Sequence, residues 1–142
     1  MFRAVSGSKT VNLLISESVK VMAYRASHRF ARISPRKVRP LADLVRGKFA
    51  DEALSILKFL PNRGARMLEK VINSAVGSAQ DPDQNQGKTV NPEELVVTKA
   101  LVDGGPMFKR IQPRARGMAF GILKRTSHIS IELTRLDEIQ NG

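Results

Sequence analysis

The stretch that most constrains this chain is residues 105–117, a basic segment between two runs that are typical of β-strands. It contains four lysines and arginines, two prolines and two glycines, and it has no acidic residue. A run rich in valine and leucine precedes it at 95–102, and an alternating apolar pattern follows it at 121–136. We therefore predict a two-stranded β-ribbon whose basic end, residues 103–121, lies outside the core.

The charge of this ribbon indicates what it can bind. Its cations are Lys109, Arg110, Arg114 and Arg116. These like charges repel one another, and a bound polyanion would offset that repulsion. At about 3.3 Å per residue, the strand from 103 to 113 projects roughly 30 Å. A two-stranded ribbon alone in water is marginally stable at best, so we expect either a partner outside the chain to hold it or the ribbon to remain mobile.

Positive charge is concentrated in two separate blocks. The 142 residues carry a formal net charge of +11, and six lysines and arginines without an acid fall in 22–42 and again in 107–125. Solvated faces usually mix both signs, whereas such blocks are typical of nucleic-acid binding. The residues that we predict to contact RNA are Arg25, Arg29, Arg32, Arg36, Lys37, Arg39, Lys109, Arg110, Arg114, Arg116, Lys124, Arg125 and His128.

The rest of the sequence predicts a body of helices and short strands. Residues 24–33 are typical of a strand, and Ser34 followed by Pro35 indicates a helix start. That helix carries an apolar stripe and ends at Gly47, while Pro40 inside it predicts a kink or a loosened first turn. Two more helices are predicted over 51–60 and 62–79, and two more strands over 95–102 and 121–136.

Several classes of protein do not fit the sequence. The chain has no cysteine, which excludes disulfides and thiolate metal sites and fits a reducing cytosol. His28 and His128 have no carboxylate cluster beside them and make a poor metal site. Gly-Lys-Thr at 87–89 lacks the earlier glycine of a phosphate-binding loop, where Pro82 stands. No apolar run approaches the roughly 20 residues that span a bilayer. We therefore expect no catalytic residues, no metal, no cofactor and no membrane contact.

Residues 1–21 differ from the rest of the chain, because serine, threonine, valine and lysine occur there with little periodicity. Two interpretations stay open. Met22 is the natural start and 1–21 are a mis-called extension, or 1–21 form a genuine but poorly ordered tail. In both cases we predict a single domain over 22–142, with residues 103–121 as its arm.

Seven short motifs carry a family resemblance. They are Ser-Pro-Arg-Lys-Val-Arg at 34–39, Leu-Ala-Asp-Leu-Val-Arg-Gly at 41–47, Asn-Ser-Ala at 73–75, Gly-Pro at 105–106, Lys-Arg-Ile at 109–111, Pro-Arg-Ala-Arg-Gly at 113–117 and Ile-Leu-Lys-Arg-Thr-Ser-His-Ile at 122–129. With these motifs, residues 22–133 resemble the bacterial type of large-subunit ribosomal protein family twenty-two. The last two motifs are the most specific.

The resemblance implies both a fold and a function. The implied fold is α+β, with a small body of three helices on a three-stranded antiparallel sheet and a long protruding β-hairpin. The implied function is a structural constituent of the large ribosomal subunit, not an enzyme, that binds 23S rRNA and supports early subunit assembly. The implied partners are 23S rRNA, neighbouring large-subunit ribosomal proteins and the nascent polypeptide. We expect a cytoplasmic, ribosome-bound protein that is a monomer outside the ribosome.

The resemblance also gives the end of the hairpin a role. In this family the hairpin tip helps to line the nascent-peptide exit tunnel, and changes near it are associated with macrolide resistance, which maps here to residues 107–110. Compared with the usual family pattern, Phe108 and Met118 make the tip more apolar, and Pro40 replaces an apolar helix residue. The tip residues that the resemblance assigns are Met107, Phe108, Lys109, Arg110, Ile111, Gln112 and Pro113.

A second class of function remains open from the residues alone. A β-ribbon with a proline near its tip also fits an architectural DNA-binding protein whose arm wedges into a minor groove. Proteins of that class normally work as dimers, and the sequence offers no clear second apolar face for dimerisation.

Overall fold

The computed structural model describes residues 23–82 and 90–136. The three described strands form an antiparallel sheet in the order β1-β3-β2. Three helices on this sheet confirm the predicted α+β class, while the expectation for residues 1–21 lies outside the described residues. In chain order the elements are β1 (Ala23–Ala31), α1 (Pro35–Val45), α2 (Ala50–Phe59), α3 (Arg63–Gln80), a 3-10 turn (Pro92–Glu94), β2 (Leu95–Pro113), a second 3-10 turn (Ala115–Gly117) and β3 (Ala119–Arg135).

The core side of the sheet is built from alternating residues of the central strand, β3. Ile129, Ile131 and Leu133 are fully buried. Since successive side chains of a strand point to opposite faces, this alternation places Ser130 and Glu132 on the outer face. On β2, the residues that pair with the three buried positions of β3 are Val102, Ala100 and Val97, and they are buried as well.

The boundaries of α1 follow the predicted signals. Ser34 occupies the N-cap and Pro35 the first turn. Gly47 lies just beyond the helix with φ of +78°, a left-handed conformation that glycine adopts at little steric cost. The helix runs through the exposed Pro40 as a single element, and a kink at that residue stays a prediction.

The helical period predicted over 62–79 is confirmed by α3, whose apolar face is buried. Gly64 in its first turn is buried against α1, because a Cβ at that position would lie 3.0 Å from Cδ1 of Leu41. This close approach brings the start of α3 beside the start of α1. The buried residues that follow Gly64 are Ala65, Leu68, Val71, Ile72, Ala75, Val76 and Ala79.

The edge of β2 within the body is covered by the connection between α1 and α2. The Gly47 amide donates to the Val97 carbonyl at 2.8 Å, and the Val97 amide donates to the Lys48 carbonyl at 2.9 Å. Phe49 forms an isolated bridge with Val96. These bonds satisfy backbone groups that an edge strand otherwise leaves unpaired.

Strand β1 ends at Ala31, two residues before the predicted end at Ile33. Phe30 has φ of +58°, and the register against β3 shifts between His28 and Ala31. A residue in this conformation interrupts the ladder as a bulge does, and pairing returns only at Ala31, opposite Ser127. The Ile33 amide then donates to the Ala31 carbonyl at 2.8 Å, so the chain turns away from the sheet at the point where β1 ends.

The ribbon formed by β2 and β3 continues beyond the buried part of the sheet. Pairing extends to Pro113↔Ala119, yet no residue from 103 to 125 is buried. We call residues 103–125 the arm, which continues further along β3 than the predicted limit of 121. Its end closes through the Arg114 amide, which donates to the Met118 carbonyl at 2.7 Å, and through Arg116 with φ of +60°.

Candidate nucleic-acid interface

The arm carries positive charge on both of its faces. Residues paired across two strands share a face, and the faces alternate along each strand. The register therefore places Arg110 and Lys124 on one face, and Lys109 and Arg125 on the other. Both pairs are exposed, so the arm has no face that is free of charge.

The arm also exposes large apolar side chains beside its arginines. The Arg110 guanidinium carbon lies 5.8 Å from the centre of the Phe108 ring, and that of Arg114 lies 5.6 Å from the centre of the Phe120 ring. Such distances permit cation–π attraction. Planar cations and rings at a surface suit contacts with bases or with another protein. The exposed apolar residues of the arm are Met107, Phe108, Ile111, Met118, Phe120 and Leu123.

All seven residues that the resemblance assigns to the tip, 107–113, are exposed. They lie in β2, along one side of the ribbon. The reversal of the chain itself falls at 114–118, where Arg116 and Gly117 have positive φ. Arg114 and Arg116, both predicted to contact RNA, are therefore at the far end of the arm.

A few specific bonds hold the base of the arm. The Thr126 hydroxyl donates to the Pro106 carbonyl at 2.7 Å, and Gly105 leaves room for that hydroxyl because a Cβ there would overlap it. The Phe30 amide donates to Nδ1 of His128 at 3.0 Å, and the two rings meet edge to face at 4.8 Å. His128, which we predicted to contact RNA, thus uses one ring nitrogen within the protein.

Two of the predicted RNA-contacting residues of the body have partners within the protein. Arg25 Nε lies 2.9 Å from one carboxylate oxygen of Glu132, and Lys99 Nζ lies 3.0 Å from the other. Arg39 Nε donates to the Val102 carbonyl at 3.3 Å. Because the Arg25 side chain stays 70% exposed, and surface ion pairs contribute only about 0–1 kcal/mol, this outer face still presents cations to a partner.

A cleft of about 1070 Å³ separates the arm from the body. Its body wall carries Arg32, Lys37 and Arg63, next to the starts of α1 and α3, and no acidic residue lines it. Of the other body cations in the prediction, Arg29 and Arg36 are exposed. The arm cations that line the cleft are Arg110 and Lys124 from one face of the ribbon and Arg125 from the other.

Arg63 is the cleft cation that the sequence analysis missed. It is the first residue of α3, and it belongs to neither basic block. It reaches the cleft because Gly64 packs the start of α3 against α1. The one sequence signal was its place after Asn62, at a predicted helix start.

Within 23–82 and 90–136, no group of three or more His, Cys, Asp or Glu side chains could hold a metal ion. Over the same residues, no helix is long and apolar enough to cross a membrane.

Together, these features define a class of protein: a small basic α+β body whose cations are concentrated on a β-hairpin arm and around the cleft at its base. The family model described as ribosomal protein L22p/L17e matches residues 26–134. The chain belongs to this family of ribosomal proteins. Its members are structural proteins, so the chain is not an enzyme.

Three curated relatives illustrate the similarity, and each is named large ribosomal subunit protein uL22. The protein from Rhodopirellula baltica is 67% identical over 116 residues, which cover 82% of this chain and 98% of the relative. The protein from Maridesulfovibrio salexigens is 51% identical over 110 residues, which cover 78% of this chain and 96% of the relative. The protein from Caldicellulosiruptor saccharolyticus is 46% identical over 119 residues, covering 84% and 93%.

Proposed function

We propose that this protein is a structural constituent of the large ribosomal subunit that binds 23S rRNA through both its arm and its body. Family membership and the names of the relatives support a place in that subunit. The single observation that carries the rRNA contact is the arm, in which no residue from 103 to 125 is buried and each face carries cations. A polyanion on one side would leave the opposite pair of charges unneutralised, so the arm lies in a channel lined by RNA.

The body supplies a second RNA surface. Of its exposed cations, Arg29 lies near the end of β1 and Arg32 just after it, while the cations at 36 and 37 lie in the first turn of α1. Because arm and body touch separate stretches of RNA, binding holds those stretches together and supports early subunit assembly. Residues 22–142 act in this proposal as one rRNA-binding domain.

The binding should depend steeply on salt. Each phosphate that a lysine or arginine neutralises releases condensed counterions, which lowers affinity as salt rises. With about eight phosphate contacts, we expect the logarithm of affinity to fall with the logarithm of salt concentration at a slope of about −6 to −7.

The end of the arm contacts the nascent-peptide exit tunnel in this proposal. Its exposed apolar residues and its ring-stacked arginines suit a surface shared by bases, neighbouring ribosomal proteins and a passing polypeptide. Residues 107–113 help to line the tunnel, and residues 107–110 influence macrolide sensitivity. The protein is cytoplasmic, ribosome-bound and a monomer before assembly.

The experiment that tests the proposal shortens the arm without disturbing its register. Residues 107–110 pair with 122–125, so deleting both segments removes four matched pairs and shortens the arm by about 13 Å. We expect the free protein to keep its unfolding midpoint, because no deleted residue is buried. In cells, we expect recovery with large subunits to fall about ten-fold and subunit precursors to accumulate, measured by sucrose-gradient sedimentation.

A matched control separates charge from length. A full-length variant with glutamine at 109, 110, 124 and 125 loses the same four cations, and we expect it to retain part of the activity of the native arm in assembly. If the shortened protein unfolds, the arm is part of the core and the proposal fails. Recovery of the native protein mainly outside ribosomes, or crosslinking mostly to DNA, would instead favour the architectural DNA-binding function.

A further inference from the structure

We propose that the cleft between arm and body holds the backbone of one RNA strand, and that this strand fixes the angle between arm and body. The inference rests on the proposed rRNA binding and adds the place where one strand is clamped. It also assigns a binding role to Arg63, which lies outside the two basic blocks.

The two walls of the cleft face each other with the same charge. Arg32, Lys37 and Arg63 line the cleft on the body side. On the arm side it is lined by Arg110 and Lys124 from one face of the ribbon and by Arg125 from the other. In the part of the chain that the structure describes, none of the six forms an ion pair with a carboxylate. The cations on the two sides of the cleft repel one another. An anion bound between them attracts the cations of both sides and draws the arm and the body together.

The size and lining of the cleft favour a strand over a small anion. A volume of about 1070 Å³ is at or above the upper end of typical small-molecule sites, which span about 300–1,000 Å³. Six cations also exceed what a single phosphate can neutralise, whereas a strand brings one charge with each nucleotide. Phe108 lines the same cleft with Arg110 over its ring, which gives a base a surface on which to stack.

The protein alone holds the arm at this point by few contacts. The ladder between β2 and β3 shifts register between Gly104 and Met107, and such irregularities let a ribbon bend. The bond from Thr126 to Pro106 lies at this break. A strand bound to both walls would therefore restrict the arm more than the protein's own contacts do.

The first test compares two double variants of equal charge. Lys37→Gln with Arg63→Gln removes two body-wall cations, and Arg66→Gln with Lys70→Gln removes two exposed cations that do not line the cleft. For binding to a 23S rRNA transcript, we expect the cleft variant to lose affinity about ten-fold at 0.15 M salt. Its log–log salt slope should flatten by about 1.4–1.8, since each lost phosphate contact accounts for about 0.7–0.9. The control should change by less than about three-fold.

The second test measures the angle of the arm. The chain has no native cysteine, so spin labels at Ser55→Cys in α2 and Gln112→Cys in the arm report one distance in the full-length protein. We expect a broad distance distribution for the free protein and a narrow one with saturating rRNA. With saturating RNA, the distance distribution of the control variant should narrow as much as that of the native protein. The distribution of the cleft variant should stay broad under the same conditions.

These outcomes separate the inference from the proposed function. If the native protein does not bind the transcript, the proposed function fails. If the distance distribution narrows equally in both double variants, rRNA binding stands and the cleft inference is overturned, even where the cleft variant binds the transcript more weakly. Tighter binding of poly-glutamate than of RNA, with the same loss in the cleft variant, would overturn the inference in favour of an acidic protein partner.

Discussion

The body and the arm share the strands β2 and β3, but the two regions differ in what covers those strands. In the body, β3 directs Ile129, Ile131 and Leu133 under the helices, where they are fully buried. In the arm, the same strand exposes Leu123, and its partner strand exposes Ile111 to 79%. In both regions successive side chains point to opposite faces of the strands. The difference is that, among the described residues, helices cover one face of the strands in the body and leave both faces of the arm uncovered. The chain supplies the covering layer for the body, whereas RNA supplies it for the arm in our proposal.

The largest effect is expected when the same substitution, isoleucine to alanine, is made in the body and in the arm. Ile131→Ala removes a side chain that is 1% exposed, and we expect it to lower the free energy of unfolding by about 2–5 kcal/mol through lost burial and a cavity. Ile111→Ala in the arm should lower it by less than about 1 kcal/mol. Urea denaturation of both variants measures the difference. Comparable losses would mean that the arm is part of the folding core.

A second test addresses the joint between the two regions. Gly105→Ala places a Cβ against the Thr126 hydroxyl, whereas Gly104→Ala meets nothing within 4 Å. We expect the first change to break the bond to Pro106 and to cost about 1–3 kcal/mol, and the second to change stability by under about 0.5 kcal/mol.

Thermal unfolding with hydrogen exchange at residues 104–107 checks both glycine variants. In the double variant Gly105→Ala with Thr126→Ala, part of the loss should return, because the overlapping hydroxyl is gone. If the stability losses of Gly105→Ala and Thr126→Ala simply add in the double variant, overlap with the Thr126 hydroxyl is not the cause of the loss in Gly105→Ala.

The smallest expected effect concerns the outer face of the sheet. Glu132→Gln removes the half-buried carboxylate shared by the exposed side chains of Arg25 and Lys99, and the loss of these two ion pairs should cost about 1 kcal/mol. The same change should raise rRNA affinity a few-fold at low salt, since two cations are released towards the RNA.

Glu52→Gln is the matched control for this test, because it breaks the ion pair with Lys48 on α2. It should leave affinity unchanged in filter-binding assays. Equal gains in both variants would mean that net charge, and not this face, sets the affinity.

Much of the body could be predicted from the sequence because its signals are local. The apolar period of α3, the start of α1 at Ser34 and Pro35, and its end near Gly47 all depend on residues a few positions apart. The prediction of an arm rests on local signals as well, since a basic run between two apolar strands can be recognised from the sequence alone.

The missing parts depend on contacts between residues far apart in the chain. Arg63 faces the arm only because α3 packs on α1 through Gly64. Glu132 meets Arg25 across paired strands that are over a hundred residues apart in sequence. The left-handed conformation of Phe30 was also missed, because its bulge is set by the register against β3 and not by its side chain.

One further consequence follows from the edges of the arm. In the described part of the chain, β1 pairs with β3 only as far as Ser127, and the 47–49 segment covers β2 only at Val96 and Val97. Beyond those points, both sides of the ribbon offer backbone donors and acceptors to any passing strand. Like charges on the arms of two copies repel, and we expect this repulsion to hinder pairing between the arms of free molecules. Concentrated salt shortens the range of that repulsion, and storage in such a buffer therefore favours self-association through the arms.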